Sequence, residues 1–217
     1  FDLFFSQIPS EENGLKGFDY EKLCAMVLYF AYKNVELLKT KLMKLLNYSD
    51  MIYYKENGIS MSGLKYVHLQ YGPVPEHFDM LLGKMSADHV AHIEVMYDNG
   101  YEKHQIVPEC EIPKDMFTPE ELEVLERVYL RFNDFGSIDI SNYSHKEKGY
   151  NSTKTGEIIS YSYVTIFNWI SAIIKQVAPK DWNGGFHQTG PAAPPHRNIQ
   201  ASLYFHYQYE NLVLTTR

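Results

Sequence analysis

With 217 residues, 45% of them hydrophobic and 15% aromatic, the chain can bury a core of its own, and the usual size of domains gives one of roughly 150 residues plus appendages. A net charge of −7 and a pI near 5.7 exclude an overall field that gathers nucleic-acid phosphates, leave only local patches for that purpose, and suit a basic protein partner. Two cysteines, Cys24 on an expected helix and Cys110 in an expected loop, exclude a disulfide framework and a cysteine-based zinc site and favour a reducing cytoplasm, while no run approaches the roughly 18 apolar residues of a membrane span.

The opening FDLFFSQIPSEENGLKG lacks the basic end of a signal peptide, and Pro9, Gly14 and Gly17 punctuate a polar run, so residues 1–17 read as a linker. Beginning with Phe rather than Met, the chain reads as part of a longer one. Asp19 can cap a helix whose face holds Leu23, Met26, Val27 and Phe30. The next segment aligns Leu38, Leu42, Leu45, Leu46, Ser49 and Ile52 along one stripe, keeps Lys39, Lys41 and Lys44 largely off it, and stops at Asn57-Gly58. The stretch LQYGPVPEHF, residues 69–78, reads as a shaped loop, because its prolines remove backbone donors and fix φ while Gly72 permits an otherwise strained conformation.

A short helix is expected behind Pro75, from Glu76 to Lys84. The alternation of Ile93, Val95 and Tyr97 up to Asp98-Asn99-Gly100 predicts a hairpin of two strands. Thr118-Pro119-Glu120-Glu121 combines an N-cap, a proline in the first turn and the glutamate of a capping box, with Leu122, Leu125, Val128, Tyr129 and Phe132 as the buried face. A shorter helix is expected from Ser137 to about Lys146. From Val164 the character changes: a helical period over VTIFNWISAIIKQVA, then a Gly- and Pro-rich loop, then a strand-like LYFHYQYENLVLTT.

Chemistry is sparse. His89 and His92 are three apart and could join His68, His77 or His104 around a metal ion, but no His-Glu-x-x-His arrangement supplies a base, and surface or packing roles are the plainer reading. Cys24 sits among apolar helix positions, where a thiol packs rather than reacts. No nucleophile elbow, dinucleotide turn or phosphate loop occurs, and Glu120 and Glu121 are explained by the helix dipole. Lys39, Lys41 and Lys44 with Tyr48, Tyr53 and Tyr54 could form a basic aromatic surface for nucleic acid, yet with Glu36, Asp50 and Glu56 nearby they read as a solvated helix face.

Residues 39–82 resemble the central signature of the SocA-like antitoxin domain, also called the Panacea domain. A helix carrying Lys41, Lys44, Leu45, Leu46, Tyr48 and Asp50 is followed by Gly58, Gly63 and Tyr66, and then by Tyr71, Gly72, Pro73, Val74 and Pro75 in the family's order and spacing. Residues 117–161 are similar to its later part, with Ser144, His145, Glu147, Gly149 and Tyr150, then Gly156, Glu157, Ile159 and Tyr161. The resemblance covers residues 18–163. It implies a protein that neutralises a cognate toxin by direct contact rather than catalysis; some members present the toxin to a protease, and others carry an N-terminal helix-turn-helix before this domain. On this reading Tyr71 to Pro75 fix the turn into the next helix, with a toxin contact as the sharper alternative, and His145 and Tyr150 pack and hydrogen-bond.

The expectation is therefore an α+β fold, a mainly helical single domain with a small antiparallel hairpin, preceded by the linker of residues 1–17 and followed by a tail at 164–217. The expected role is a cytoplasmic antitoxin with a protein toxin as partner, without cofactor, metal or membrane, and without nucleic-acid binding through this chain alone. The alternatives are a transcriptional regulator or phage-derived interaction protein whose DNA-binding module lies outside this chain and, further off, a metal-dependent hydrolase.

Overall fold

The computed structural model describes residues 4, 5 and 8–164. The chain divides into two units, Phe1–Ile166 and Phe167–Arg217. The helix, loop and strand expected beyond Val164 lie outside the described residues. Within them the architecture is α+β, with helices dominating and two small antiparallel sheets of two strands each.

Helix α1, Tyr20–Lys33, starts where Asp19 accepts a hydrogen bond from the Lys22 amide at 2.9 Å. Its stretch from Leu23 to Ala31 is buried residue after residue, so the helix is covered on all sides rather than along one stripe. Helix α2, Lys39–Asn57, is buried from Lys41 to Ile52 and ends on Gly58, whose φ of 76° suits a left-handed cap. These two helices form the centre, and the other elements wrap them.

Strands β1, Tyr66–Leu69, and β2, Gly72–Pro75, pair antiparallel with Val67 opposite Val74. The Gly-Pro-Val-Pro stretch expected as a loop is thus a strand. Prolines usually exclude a strand because they donate nothing to the ladder; here they stand where nothing needs donating, since the Glu76 amide bonds the Lys65 carbonyl at 2.9 Å and alternation then turns the Val74 amide, not those of residues 73 and 75, toward β1. Helix α3, Phe78–Ala87, begins later than expected because His77 takes a left-handed φ of 54°.

Strands β3, Ala91–Asp98, and β4, Tyr101–Pro108, form the expected hairpin across Asn99-Gly100, both residues at positive φ. Helix α4, Pro119–Phe132, carries the expected capping box: the Glu121 amide donates to Thr118 Oγ1 and the Thr118 amide to Glu121 Oε2. Helix α5, Ser137–Ser144, stops earlier than expected, and a separate short helix α6, Lys148–Asn151, follows.

Residues 8–17, read from sequence as a linker, lie against this unit in turns. Asn13 is buried, the Ser60 hydroxyl donates to its carbonyl at 2.7 Å, and the Tyr161 amide donates to the Glu11 carbonyl at 3.0 Å. The expected solvated lysine face is also corrected. Lys44 is completely buried and Lys41 nearly so, because α2 is enclosed by α4, α5 and β2 and leaves no solvent side at this level.

Candidate functional site

The centre of the site is a buried carboxylate. Asp50, in the middle of α2, accepts hydrogen bonds from the amides of Met61 and Ser62 at 2.9 and 2.8 Å, from Ser62 Oγ at 2.5 Å and from the Tyr66 hydroxyl at 2.7 Å. Burial pushes its carboxyl up, and these four donors pull the other way. The result is a polar clamp that ties α2 to the start of β1. Tyr161 closes the same region, donating its hydroxyl to the Leu64 carbonyl at 2.8 Å.

Two turns earlier on α2, Lys44 reaches the opposite end of the hairpin and donates to the Pro73 carbonyl at 2.9 Å. Desolvation alone pushes this ammonium down to about 7, since no carboxylate stands beside it among the described residues. Gly72 lies directly over it at φ of 100°, where a side-chain carbon would meet the Ser144 hydroxyl and come within 2.7 Å of Lys44 Cε. From α5, the Ser141 hydroxyl donates to the Tyr71 carbonyl at 2.7 Å, and Ser144 donates back to Ser141 at 2.7 Å. From α6, the Tyr150 hydroxyl donates to the Leu69 carbonyl at 3.0 Å. Three alternate carbonyls, of Leu69, Tyr71 and Pro73, are therefore held by three different elements.

The remaining family-motif residues support these. Lys41 donates to the Asn133 carbonyl at 2.9 Å, closing the end of α4, and burial lowers its ammonium. Tyr48 stacks on Phe132 with centroids 4.6 Å apart and donates to Glu147 at 3.3 Å; burial raises the Glu147 carboxyl to about 7. Tyr150 is sandwiched between His68, at 3.7 Å, and His145, at 4.6 Å, and the buried His145 Nε2 has no hydrogen-bond partner among the described residues. Gly63 lies against the Gly17 carbonyl, and Gly149 against Ile159. Pro75 is buried at the end of β2.

On its outer side the hairpin forms one wall of an open groove of about 620 Å³. Val67, Leu69, Tyr71 and Val74 face Met43 of α2 and Met80 of α3 across it. Lys39 and Asp79 pair at 2.5 Å on the rim, beside Glu76. Tyr71 is 64% exposed while its backbone is held by Ser141, so the ring is presented on a fixed support.

Sequence reasoning missed Ser141, which lies one helical turn before Ser144 and so shares its face, and the role of His68, which it weighed only as a metal ligand. Among the described residues no three histidine, cysteine or carboxylate side chains gather in a group able to hold a metal ion. His89 and His92 both bond Glu109, at 3.2 and 2.7 Å, His104 bonds Glu102, and the His77 ring lies 5.2 Å from that of Phe4. Cys24 is buried on α1, where burial pushes its thiol up to about 11, away from reactivity. Among the described residues no helix is long and apolar enough to cross a membrane.

The arrangement is a surface hairpin braced from within. In comparison with known proteins, the family model described as antitoxin SocA-like, Panacea domain, matches residues 42–150, half of the chain, from the body of α2 to Tyr150 of α6. The chain belongs to the SocA-like antitoxin family. Membership implies an antitoxin role and, in general, a toxin as partner. No curated protein and no solved structure matches the chain.

Proposed function

We propose that this protein is a cytoplasmic antitoxin that neutralises a cognate protein toxin by stable contact at the groove outside the Tyr66–Pro75 hairpin, without catalysis. The observation that carries the reading is the bracing of that hairpin. Lys44, Ser141 and Tyr150 hold three successive alternate carbonyls, so exposed Leu69 and Tyr71 are presented with little freedom left to lose on binding. Tyrosine fixed at the edge of an apolar groove suits the centre of a protein interface. The net charge of −7 and the carboxylate of Glu76 at the rim suit a basic toxin. The functional unit is residues 18–163, with the turns of residues 8–17 packed on it and 164–217 as a separate tail. In this unit Lys41, Lys44, Tyr48, Asp50, Gly63, Tyr66, Gly72, Pro73, Pro75, Ser144, His145, Gly149 and Tyr150 shape the surface, and Tyr71 touches the partner.

Co-expression with the product of the adjacent gene, followed by growth and co-purification, tests this. The neighbour alone should arrest growth, and the pair should grow and purify as a complex. Tyr71→Ala with Leu69→Asp should abolish rescue while leaving the melting temperature near that of the parent, because both side chains face solvent. A harmless neighbour, or a complex indifferent to both substitutions, would overturn the reading. Loss of the toxin from the cell without accumulation of a complex would point instead to presentation of the toxin to a protease.

A further inference from the structure

The hairpins of this protein treat their outer edges in opposite ways. Outside β2, Pro73 and Pro75 occupy the outward positions and offer no amide, and the Pro73 carbonyl is taken by Lys44. Outside β1, residues 156–159 cover the edge, with the His68 amide on the Glu157 carbonyl at 2.9 Å and the Ile159 amide on the Tyr66 carbonyl at 2.8 Å. Outside β4, the Ile106 amide bonds the Leu37 carbonyl at 2.8 Å. The edges of β1 and β2 are closed, and that of β4 is covered at its Ile106 end and carries Lys103 and Pro108.

Strand β3 is different. The two-residue turn makes Asp98 and Tyr101 a hydrogen-bonded pair, so alternation directs the amides of Met96, Glu94 and His92 toward β4 and those of Ile93, Val95 and Tyr97 outward. Among the described residues nothing bonds these outward backbone groups. The same three residues carry apolar or aromatic side chains, Val95 48% and Tyr97 76% exposed, and β3 contains no proline or lysine. An edge of this kind, eight residues long, is a template for another strand.

We infer that β3 pairs antiparallel with β3 of a second copy of this chain, with the two-fold axis at Val95. Outward residues must face outward residues, which leaves three central alignments. Placing Ile93 opposite Val95 of the second copy sets Glu94 against Glu94. Placing Val95 opposite Tyr97 sets Glu94 against Asp98. Placing Val95 opposite Val95 avoids both like-charge pairs; it sets Ile93 against Tyr97, an aliphatic–aromatic cross-strand pair, and brings His92 opposite Asp98. Only this alignment avoids a like-charge pair, and a surface that does not repel its own copy is what a two-fold interface requires. The edge is separate from the groove beside Tyr71, so self-pairing and toxin binding make independent demands.

Sedimentation velocity of the full 217-residue chain across a wide range of concentration tests the inference. A concentration-dependent dimer is expected. Val95→Lys should weaken it at least about tenfold, because two lysines would face each other on the axis. Val95→Pro should do the same while removing no ladder bond, since the amide it deletes points outward. Circular dichroism checks that both variants fold. In a Cys110→Ser background, Val95→Cys should form an interchain disulfide on mild oxidation and Glu94→Cys, which faces Met96 of the second copy, should not. Tyr71→Ala should leave the dimer intact. A chain that stays monomeric, or a dimer indifferent to both Val95 substitutions, overturns the inference. A monomer whose toxin binding is lost in Val95→Lys also overturns it and assigns the edge to a strand of the toxin.

Discussion

Lys44 and Glu147 show how single residues set the response of the fold to pH. Lys44 is lowered by burial from 10.5 to about 7, so between these values the unfolded chain binds more protons than the folded one, and stability climbs as pH rises through that window; below it the cost of the buried ammonium is felt in full. Glu147 is raised from 4.5 to about 7, so the folded chain holds the extra proton there, and the stability it contributes is present below 4.5 and lost as pH rises toward 7. Asp50, raised by burial, acts in the same sense as Glu147. The two limbs slope in opposite directions, and urea unfolding across pH 4.5 to 10 should show a minimum near 7. Lys44→Met should flatten the upper limb and Glu147→Gln the lower one. An upper limb that survives Lys44→Met would show that other groups carry it.

Among the elements, the β1–β2 hairpin is the most tightly specified. Each proline stands where the ladder asks for no donor, and Gly72 stands where α2 and α5 leave no room for a side chain. Gly72→Ala combines left-handed strain with a clash against Ser144 and Lys44, and should cost on the order of 3 kcal/mol by denaturant unfolding. Gly58→Ala is the control, because Gly58 shares the positive φ but has open space around it, and about 1 kcal/mol is expected. Equal losses at the two sites would mean that the close packing of Gly72 contributes little.

At the scale of the described unit, two central helices carry a braced hairpin, which in the proposed role has no need to order itself on binding. A toxin titrated with such an antitoxin should lose activity linearly up to a fixed stoichiometric ratio and show a sharp break there. Inactivation at a small fraction of that ratio would speak for catalysis or for protease presentation. Attraction between an acidic antitoxin and a basic toxin should also appear as an association rate that falls with added salt.

Local chemistry decided much of this protein before any tertiary contact. The Asp19 cap, the Gly58 stop, the capping box at Thr118 and the Asn99-Gly100 turn each act within a few residues, and each stands where the sequence places it. The order and spacing of the motif residues likewise identified the family without reference to the fold. Tertiary structure decided the rest. Whether Lys44 faces water or the core depends on α4, α5 and β2 closing over α2; whether Gly-Pro-Val-Pro is a loop or a strand depends on β1 lying beside it; and which strand edges are covered depends on where Leu37 and residues 156–159 come to lie among the described residues. Such long-range neighbours are fixed by how buried surfaces fit together, and no short window of sequence contains them.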